Sequence, residues 1–231
     1  MILPAAATLA AGTALFAWSV RGKSSSILAP SVWRGPKNRK AIALTFDDGP
    51  SESTPRILEI LVRNNARATF FQVGANVQRL PAIARQVVAA GSEIGNHSHT
   101  HPRFDFTSAA FQRAELHQAQ RAIEDNCAVT PRWFRAPYGI RWFGMAAAQR
   151  ECGLEGVMWT SIALDWKLDG RAIVTRMKKA AASGAIFCFH DGRATTRNPD
   201  VGATTEAIAQ LLPQLAMHGY ELVTISELLV G

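Results

Sequence analysis

Apolar positions along this chain of 231 residues change repeatedly between two spacings. From residue 41 onward, short apolar runs such as AIALTF (41–46) and AIFCFH (185–190) have the length and composition of buried strands. Between such runs, apolar residues recur three and four positions apart, as Leu58 and Leu61 do within 54–65. That spacing predicts helices that bury one face. The pattern therefore predicts strands and helices in alternation.

About seven repeats of a strand and a helix cover the chain from residue 41 to its end. Alternation with short connections favours a parallel sheet with helices outside it, either as an open doubly wound sheet or as a barrel. Neither G-x-G-x-x-G nor G-x-x-x-x-G-K-[ST] occurs, which disfavours a nucleotide-binding open sheet. The predicted strands cover 41–46, 68–73, 92–96, 132–137, 155–162, 185–190 and 220–225, and the predicted helices cover 54–65, 80–91, 107–126, 141–152, 170–183, 203–218 and 226–230.

The basic character of the chain belongs to its first 40 residues. The formal net charge is +7, and residues 1–40 hold six basic residues and no acid, so residues 41–231 carry only +1. A nucleic-acid-binding domain would carry its positive charge on a folded face, so no nucleic acid is expected as a partner. The three cysteines, Cys127, Cys152 and Cys188, form no CxxC pair and are expected to be buried small residues.

The first 20 residues contain no charged side chain. Twenty helical residues span about 30 Å, which matches the core of a bilayer. A secretory signal would open with a basic region, and this stretch does not. An uncleaved anchor, a signal-like segment with a different start and an apolar tail all stay open as interpretations. The predicted domain organisation is a hydrophobic anchor or signal-like segment over 1–20, a basic linker over 21–40 and a folded domain over 41–231.

Chemically reactive side chains cluster where the predicted strands end. The carboxyl ends of barrel strands meet at one rim, and barrel enzymes place their chemistry there. Polar turns in solvent would account for one such residue, but they account poorly for groups at five strand ends. These residues are Asp47 and Asp48, His97, His99 and His101, Arg135 and Tyr138, Asp165 and Trp166, and His190 and Asp191.

The segment NHSHTH contains three of the six histidines of the chain. His97 and His101 are four positions apart, a spacing that lets two imidazoles bind one metal ion, whereas His99 is expected on the surface. Two imidazoles and one carboxylate leave coordination positions open, which is typical of a catalytic metal site. The pair Asp47 and Asp48 would supply that carboxylate. Adjacent side chains on a strand diverge, so one Asp would bind the metal and the other would be a general base.

The strand over 185–190 brings a further histidine to the same rim. Its period of two places Ile186, Cys188 and His190 on the side that faces the barrel interior. A histidine at the mouth of a barrel, away from the metal pair, suits a general acid. A third metal ligand or a structural histidine stays as the alternative for His190.

Together, these segments resemble those of the NodB-homology polysaccharide deacetylases, carbohydrate esterase family 4. TFDDGP and HSHTH resemble the first two motifs of that family, and RAPY, LDW and FCFHD match the third, fourth and fifth more loosely but in the right order. The resemblance covers about residues 41–229. It implies a distorted (β/α) barrel with about seven repeats. It also implies metal-dependent removal of N- or O-acetyl groups from a polysaccharide.

The resemblance also implies roles in catalysis, position by position. Asp47 would be the catalytic base, held by Arg135, and His190 would be the general acid, with its pKa tuned by Asp165. The metal would be a divalent ion, usually Zn²⁺, although Co²⁺ and Ni²⁺ suit the same ligands. Its ligands would be Asp48, His97 and His101.

The resemblance further implies how substrate would bind. In the turn at Pro137 and Tyr138, the backbone N–H of Tyr138 would help to bind the oxyanion, and Trp166 would line the sugar groove. The family usually has Leu or Ile two residues before the catalytic histidine, bordering the acetyl methyl group. This chain has Cys188 there. The smaller side chain predicts a roomier acyl pocket.

The expected function is hydrolysis of N-acetyl groups in an N-acetylhexosamine polymer, peptidoglycan-like or chitin-like. Acetylxylan or a lipid-linked sugar stays open as a substrate, and so does a non-catalytic carbohydrate-binding barrel. The protein is expected to be a monomer that faces the cell envelope, either secreted or bound to the membrane through its N-terminal segment. The positive-inside rule conflicts with that orientation, because it would hold residues 21–40 in the cytoplasm.

Overall fold

The computed structural model describes residues 2–230, with side chains from residue 10 onward. The strands in this range are β1 Ser31–Val32, β2 Ala41–Gly49, β3 Thr69–Gln72, β4 Glu93–Asn96, β5 Trp133–Phe134, β6 Glu155–Val157, β7 Ser161–Ile162, β8 Ala185–His190 and β9 Glu221–Val223. The helices are α1 Ile2–Arg21, α2 Thr54–Arg63, α3 Gly74–Arg79, α4 Pro81–Ala89, α5 Ala109–Cys127, α6 Met145–Glu151, α7 Gly170–Ala180, α8 Gly202–Met217 and α9 Ile225–Val230, and a 3₁₀ turn covers Pro137–Gly139.

All strand pairs in this part of the chain are parallel and belong to one curled sheet. The strand order is β1-β6-β5-β4-β3-β2-β8-β7, and β9 pairs with the first residues of β2. The sheet curls into a half-barrel, so the predicted fold, a distorted (β/α) barrel, is confirmed. The carboxyl ends of its strands form one rim, as the position of the reactive residues requires.

The predicted single strand over 155–162 is wrong, and its interruption explains why the barrel is distorted. Residues 155–157 form β6, which pairs with β5 and β1, whereas residues 161–162 form β7, which pairs with β8. Between them, the N–H of Met158 donates to Val32 O at 2.7 Å, and the N–H of Thr160 donates to Ile186 O at 2.9 Å. The backbone changes partners within three residues, so this segment bridges the two ends of the sheet without forming one continuous ladder.

Side chains along β2 alternate between the apolar core under the helices and the barrel interior, where the reactive residues lie. Ile42, Leu44 and Phe46 pack into the apolar cluster between the sheet and the helices. Ala41 and Ala43 belong to a second cluster inside the barrel, and Asp47 continues that interior row at the rim. The same alternation along β8 places Ile186 in the interior cluster, as predicted.

The segment before the barrel is part of the fold. Residues 10–18 of α1 are exposed, but Val20 is buried with Ile140 and Met145. Strand β1 lies within the predicted linker and pairs with β6. Within residues 2–230, none of the helices combines the length and apolar character needed to cross a membrane. The division of the chain at residues 20 and 40 stays a prediction.

Replacing Phe70 by Ala is expected to lower the free energy of unfolding by about 3–5 kcal/mol. Its side chain is fully buried, and its ring lies 5.0 Å from that of Phe46, centroid to centroid. Removal of the ring leaves a cavity that the packed sheet and helices cannot close. Denaturant unfolding measures the change. Phe106→Ala is the control, because that ring is 86% exposed and its loss should cost less than about 1 kcal/mol.

Candidate active site

The two adjacent acids at the end of β2 have different surroundings. Asp47 continues the strand, whereas Asp48 has φ 74 in the left-handed region, and the register with β3 shifts between Asp47 and Gly49. Asp tolerates that conformation better than most residues. The N–H of Ala194 donates to Asp48 Oδ2 at 2.9 Å, and Asn76 Nδ2 donates to Asp48 O at 2.9 Å. The turn of the backbone directs the two carboxylates to separate partners.

Asp47 is held by a buried arginine. Arg135 Nη1 donates to Asp47 Oδ1 at 2.7 Å and also lies 2.7 Å from Thr45 Oγ1. The remaining guanidinium nitrogens donate to Val157 O at 3.3 Å and to Met158 O at 3.1 Å, so a network of acceptors surrounds this cation. Such a buried pair fixes the rotamer of the carboxylate.

The thiol of Cys188 faces the other oxygen of Asp47. Its Sγ lies 3.4 Å from Asp47 Oδ2, within hydrogen-bond distance for sulfur, and the side chain is fully buried. Burial and the neighbouring charge of Asp47 raise the pKa of this thiol well above its usual value, so it remains protonated and donates. Cys188 therefore lies behind Asp47 rather than in the wall of the cleft, and its predicted contact with substrate stays untested.

Asp48, His97 and His101 form one buried cluster. Asp48 Oδ1 lies 3.3 Å from His97 Nε2 and 2.9 Å from His101 Nε2. The candidate ligand atoms of the three residues all lie within 4.8 Å of one another. His97 and His101, predicted from their spacing, thus meet the carboxylate at one point.

The donor set of this cluster fits a divalent metal ion. His97 Nδ1 donates to Arg135 O at 2.7 Å, so in the neutral imidazole Nε2 carries a lone pair directed at Asp48. Asp48 Oδ1 is buried and lacks a hydrogen-bond donor. Burial favours the neutral acid, but the imidazoles of His101 and His97 outweigh it and hold the pKa of Asp48 well below its usual range. A buried carboxylate that meets two imidazole nitrogens in this way is a set of ligand atoms that a divalent cation suits.

Glu115 of α5 holds the loop that carries these histidines, and sequence reasoning missed it. Its Oε2 accepts from the N–H groups of His99 at 2.9 Å and Thr100 at 2.8 Å. The ring of His99, expected on the surface, is half-buried beside Gly74 and lies outside the metal cluster. A lone glutamate in an amphipathic helix gives no signal of this role in sequence.

His190 and Asp165 form a second pair, as predicted, in which Asp165 is buried and His190 is half-buried. His190 Nδ1 lies 2.8 Å from Asp165 Oδ1, while Asp165 Oδ2 accepts from the N–H of His190 and from Thr204 Oγ1, each at 2.8 Å. Burial opposes protonation, but the hydrogen bond and charge of Asp165, with Asp48 and Asp47 nearby, raise the pKa of His190 to about 9. The imidazolium is therefore the stable form at neutral pH, and its Nε2–H is the proton left for the cleft.

The pairs open into one cleft of about 560 Å³. Tyr138 and Trp166 are both more than half exposed at its rim, and their rings contact those of His101 and His190 edge-on. Pro137 is buried in the 3₁₀ turn and does not line the cleft. The lining residues that the sequence did not predict are Arg21, Ala136, Gly139, Trp159, Ile162, Arg193 and Ala194.

Asp191 packs against the turn that follows Asp47 and Asp48. Its carboxylate occupies the space that a Cβ at position 49 would fill, and Thr54 Oγ1 donates to Asp191 Oδ2 at 2.5 Å. Burial and the nearby charges of Asp48 and Asp47 outweigh that hydrogen bond and raise the pKa of Asp191 to about 7. In the sequence, the position of Asp191 next to His190 indicated that it lies near the site. It did not indicate that its side chain points toward Gly49 and Thr54.

Comparisons with known proteins agree with this geometry. A family model described as polysaccharide deacetylase matches residues 34–157. A peptidoglycan-N-acetylglucosamine deacetylase of Bacillus cereus is 37% identical over 202 residues, which cover 86% of this chain and 92% of that protein. A chitooligosaccharide deacetylase of Bradyrhizobium sp. is 35% identical over 198 residues, covering 82% of this chain and 90% of that protein.

A solved structure of similar fold adds a contrast. The structure of a pseudoenzyme of the CE4 family from Bacillus anthracis has a TM-score of 0.78 and 32% identity, covering 87% of this chain and 69% of that one. Although that relative is a pseudoenzyme, the half-barrel, the candidate metal cluster and the relatives described above define the class of this chain as a carbohydrate-directed hydrolase. The chain belongs to the polysaccharide deacetylase family, carbohydrate esterase family 4.

Proposed function

We propose that this protein is a metal-dependent deacetylase that hydrolyses the N-acetyl groups of N-acetylglucosamine in peptidoglycan. The observation that carries the proposal is the buried cluster of Asp48, His97 and His101, which shares one cleft with Asp47, held by Arg135, and with His190. The Bacillus cereus relative, described as a peptidoglycan deacetylase and matched over most of both chains, supports this substrate.

The proposed metal is Zn²⁺, held by Asp48, His97 and His101. Two imidazoles and one carboxylate are a ligand set that Zn²⁺ accepts and that leaves positions open. When bound, such an ion polarises the amide carbonyl and makes a nearby water more acidic. The hydrogen bond from His97 Nδ1 to Arg135 O would keep its Nε2 free as a ligand.

Asp47 is proposed as the general base. Its carboxylate adjoins the metal cluster, and Arg135 fixes its orientation at 2.7 Å. It would take the proton of the attacking water. The backbone N–H of Tyr138, in the turn beside the metal cluster, would donate to the oxyanion, and such a donor typically stabilises the transition state by about 3–4 kcal/mol.

His190 is proposed as the general acid. Asp165 binds its Nδ1, so Nε2 would donate the proton to the departing nitrogen. An amine leaves far more readily than its anion, so this step typically contributes about 10²–10⁴-fold. Trp166 would pack against the sugar ring at the exposed rim of the cleft.

Acetate release tests the proposed function directly. The purified protein is incubated with peptidoglycan glycan strands, N-acetylglucosamine oligomers and acetylxylan, each with and without a chelator. Release from the first substrate, lost with chelator and restored by Zn²⁺, is expected. Absence of release from every substrate would identify a non-catalytic member, as the pseudoenzyme relative shows is possible in this fold.

Chitooligosaccharides are the second candidate substrate, because the Bradyrhizobium relative of 35% identity is described as acting on them. Faster release from N-acetylglucosamine oligomers than from peptidoglycan would favour that reading. Acetylxylan and lipid-linked sugars have no relative to support them among the proteins compared above.

An extracytoplasmic location is proposed, since a cell-wall polymer lies outside the membrane. Whether residues 1–20 are an anchor or a signal-like segment stays a prediction, and so does the monomeric state. Fractionation of cells that express the full chain, with detection of residues 41–231 in membrane and medium, distinguishes the two fates of the segment.

A further inference from the structure

The chain before the barrel is attached to the active-site rim by a buried arginine. Arg141 Nη1 donates to Ser25 O at 2.6 Å, and Nη2 donates to Gly22 O at 2.5 Å. The backbone N–H of Arg141 donates to Val20 O at 3.0 Å. The guanidinium is almost completely buried, and burial lowers its pKa. It therefore depends on these carbonyl groups to compensate for lost hydration.

This attachment places Arg21 at the cleft. The residue lies between Val20 and Gly22, which both bind Arg141, and its side chain lines the cleft although it is largely exposed. It makes no ion pair or hydrogen bond in the described structure. The charge of Arg21 is felt by Asp105, which is already paired with Arg103.

A second cation lines the same cleft from another strand. Arg193 follows β8, and its guanidinium donates to Gly192 O at 2.8 Å and to Asp165 O at 3.0 Å. Both acceptors are neutral carbonyl groups, so its charge is not neutralised by an ion pair. Arg21 lies beside the loop that follows β5, whereas Arg193 follows β8. In the strand order, β4, β3 and β2 lie between β5 and β8. The cleft is thus flanked by positive charge from two sides.

We propose that Arg21, positioned by Arg141, binds a carboxylate of the substrate polymer and makes the enzyme select acidic glycans over neutral ones. This inference rests on the proposed function and refines its substrate class. Peptidoglycan carries carboxylates on its stem peptides, and on its lactyl groups wherever the stem peptide has been removed, whereas chitin carries none. A guanidinium matches a carboxylate with two parallel N–H donors, so an Arg at the rim discriminates between the two polymers.

The contact acts on binding more than on chemistry. Arg21 belongs to the rim and does not contact Asp47, Asp48 or His190 in the described structure, so its loss should raise KM and change kcat little. Rim charges are screened by salt, because the Debye length falls from about 10 Å at 0.1 M to about 3 Å at 1 M. Selection for acidic glycans should therefore weaken as ionic strength rises.

The test compares two forms of one substrate. Oligosaccharides of N-acetylglucosamine and N-acetylmuramic acid are used with free lactyl carboxylates and after conversion of those groups to methylamides. For the wild type, kcat/KM is expected to be about 10-fold higher on the free acid. In Arg21→Gln, that ratio should fall to about 1–2. Arg121→Gln, an exposed charge on α5 away from the cleft, is the matched control and should keep the ratio.

Arg141→Met tests the positioning step. The variant should lose the preference for the free acid as Arg21→Gln does, and it should also become cleavable by protease within residues 22–30. A variant that unfolds is recognised by circular dichroism, and Arg21→Gln then decides alone. An unchanged ratio in Arg21→Gln contradicts the proposal.

The remaining outcomes separate this inference from the proposed function. Equal release of acetate from both forms by the wild type overturns the carboxylate contact but leaves the deacetylase function in place. Release from neither form overturns the function itself. Because guanidinium also binds phosphate, a prenyl-pyrophosphate-linked N-acetylglucosamine is a third substrate. An Arg21-dependent preference for it over the free acid would reassign the anion to phosphate and contradict the proposal.

Discussion

An Asp47→Asn variant is expected to keep its divalent metal and to lose turnover by at least about 10²–10⁴-fold. The amide has nearly the shape of the carboxylate, so Arg135 can still donate to Oδ1, but it has no basic oxygen to accept a proton from water. The three proposed metal ligands are untouched. Acetate release measures turnover, and elemental analysis after gel filtration measures the metal.

The matched variant is His97→Ala, which should lose both metal and turnover. His97 Nε2 lies 3.3 Å from Asp48 Oδ1, so its removal takes one of three donors from the cluster and leaves a buried carboxylate facing one imidazole. Equal metal content and equal activity in the two variants would contradict the division of work between Asp47 and Asp48. Loss of metal in Asp47→Asn would make Asp47 a ligand as well.

An Asp165→Asn variant is expected to move the alkaline limb of kcat/KM toward lower pH by about 1–2 units. The hydrogen bond and charge of Asp165 are the main causes that raise the pKa of His190 to about 9 against burial. With an amide at position 165, His190 loses its proton nearer neutrality, so less of the general acid is present at pH 8. Turnover at pH 7 should fall as well, because Nδ1 loses its charged partner.

Thr204→Val is the control for this shift. Its Oγ1 donates to Asp165 Oδ2 at 2.8 Å, so the change removes one hydrogen bond and keeps the charge. The limb should move much less than in Asp165→Asn.

The same ionisation affects stability: the raised pKa of His190 stabilises the fold fully below its unfolded value of 6.5, and this contribution disappears as the pH rises through about 9. An alkaline limb that stays in place in Asp165→Asn would assign the limb to another group.

Local patterns in the sequence determined much of the fold and the reactive set. The period of two on β2 and β8 placed Asp47 and His190 above the barrel interior, because successive side chains on a strand alternate between its faces. The spacing of His97 and His101 predicted a shared site, and the structure brings their Nε2 atoms to the same oxygen. The order of Asp47 and Asp48 within the site came from family resemblance, since spacing alone leaves it open.

Only the tertiary structure decided which groups from other elements hold the candidate site residues and the chain around them in place. Glu115, Thr204 and Arg141 lie in ordinary helical or loop sequence, yet each binds a segment outside its own element. The break between β6 and β7 likewise depends on which neighbouring strands are available. Hydrogen bonds of this kind are set by the meeting of elements in space, and one-dimensional periodicity records only the face on which each residue lies. The sequence therefore identified the candidate residues of the site, whose roles stay predictions, whereas their orientation and the place of Arg21 at the cleft came from the packed fold.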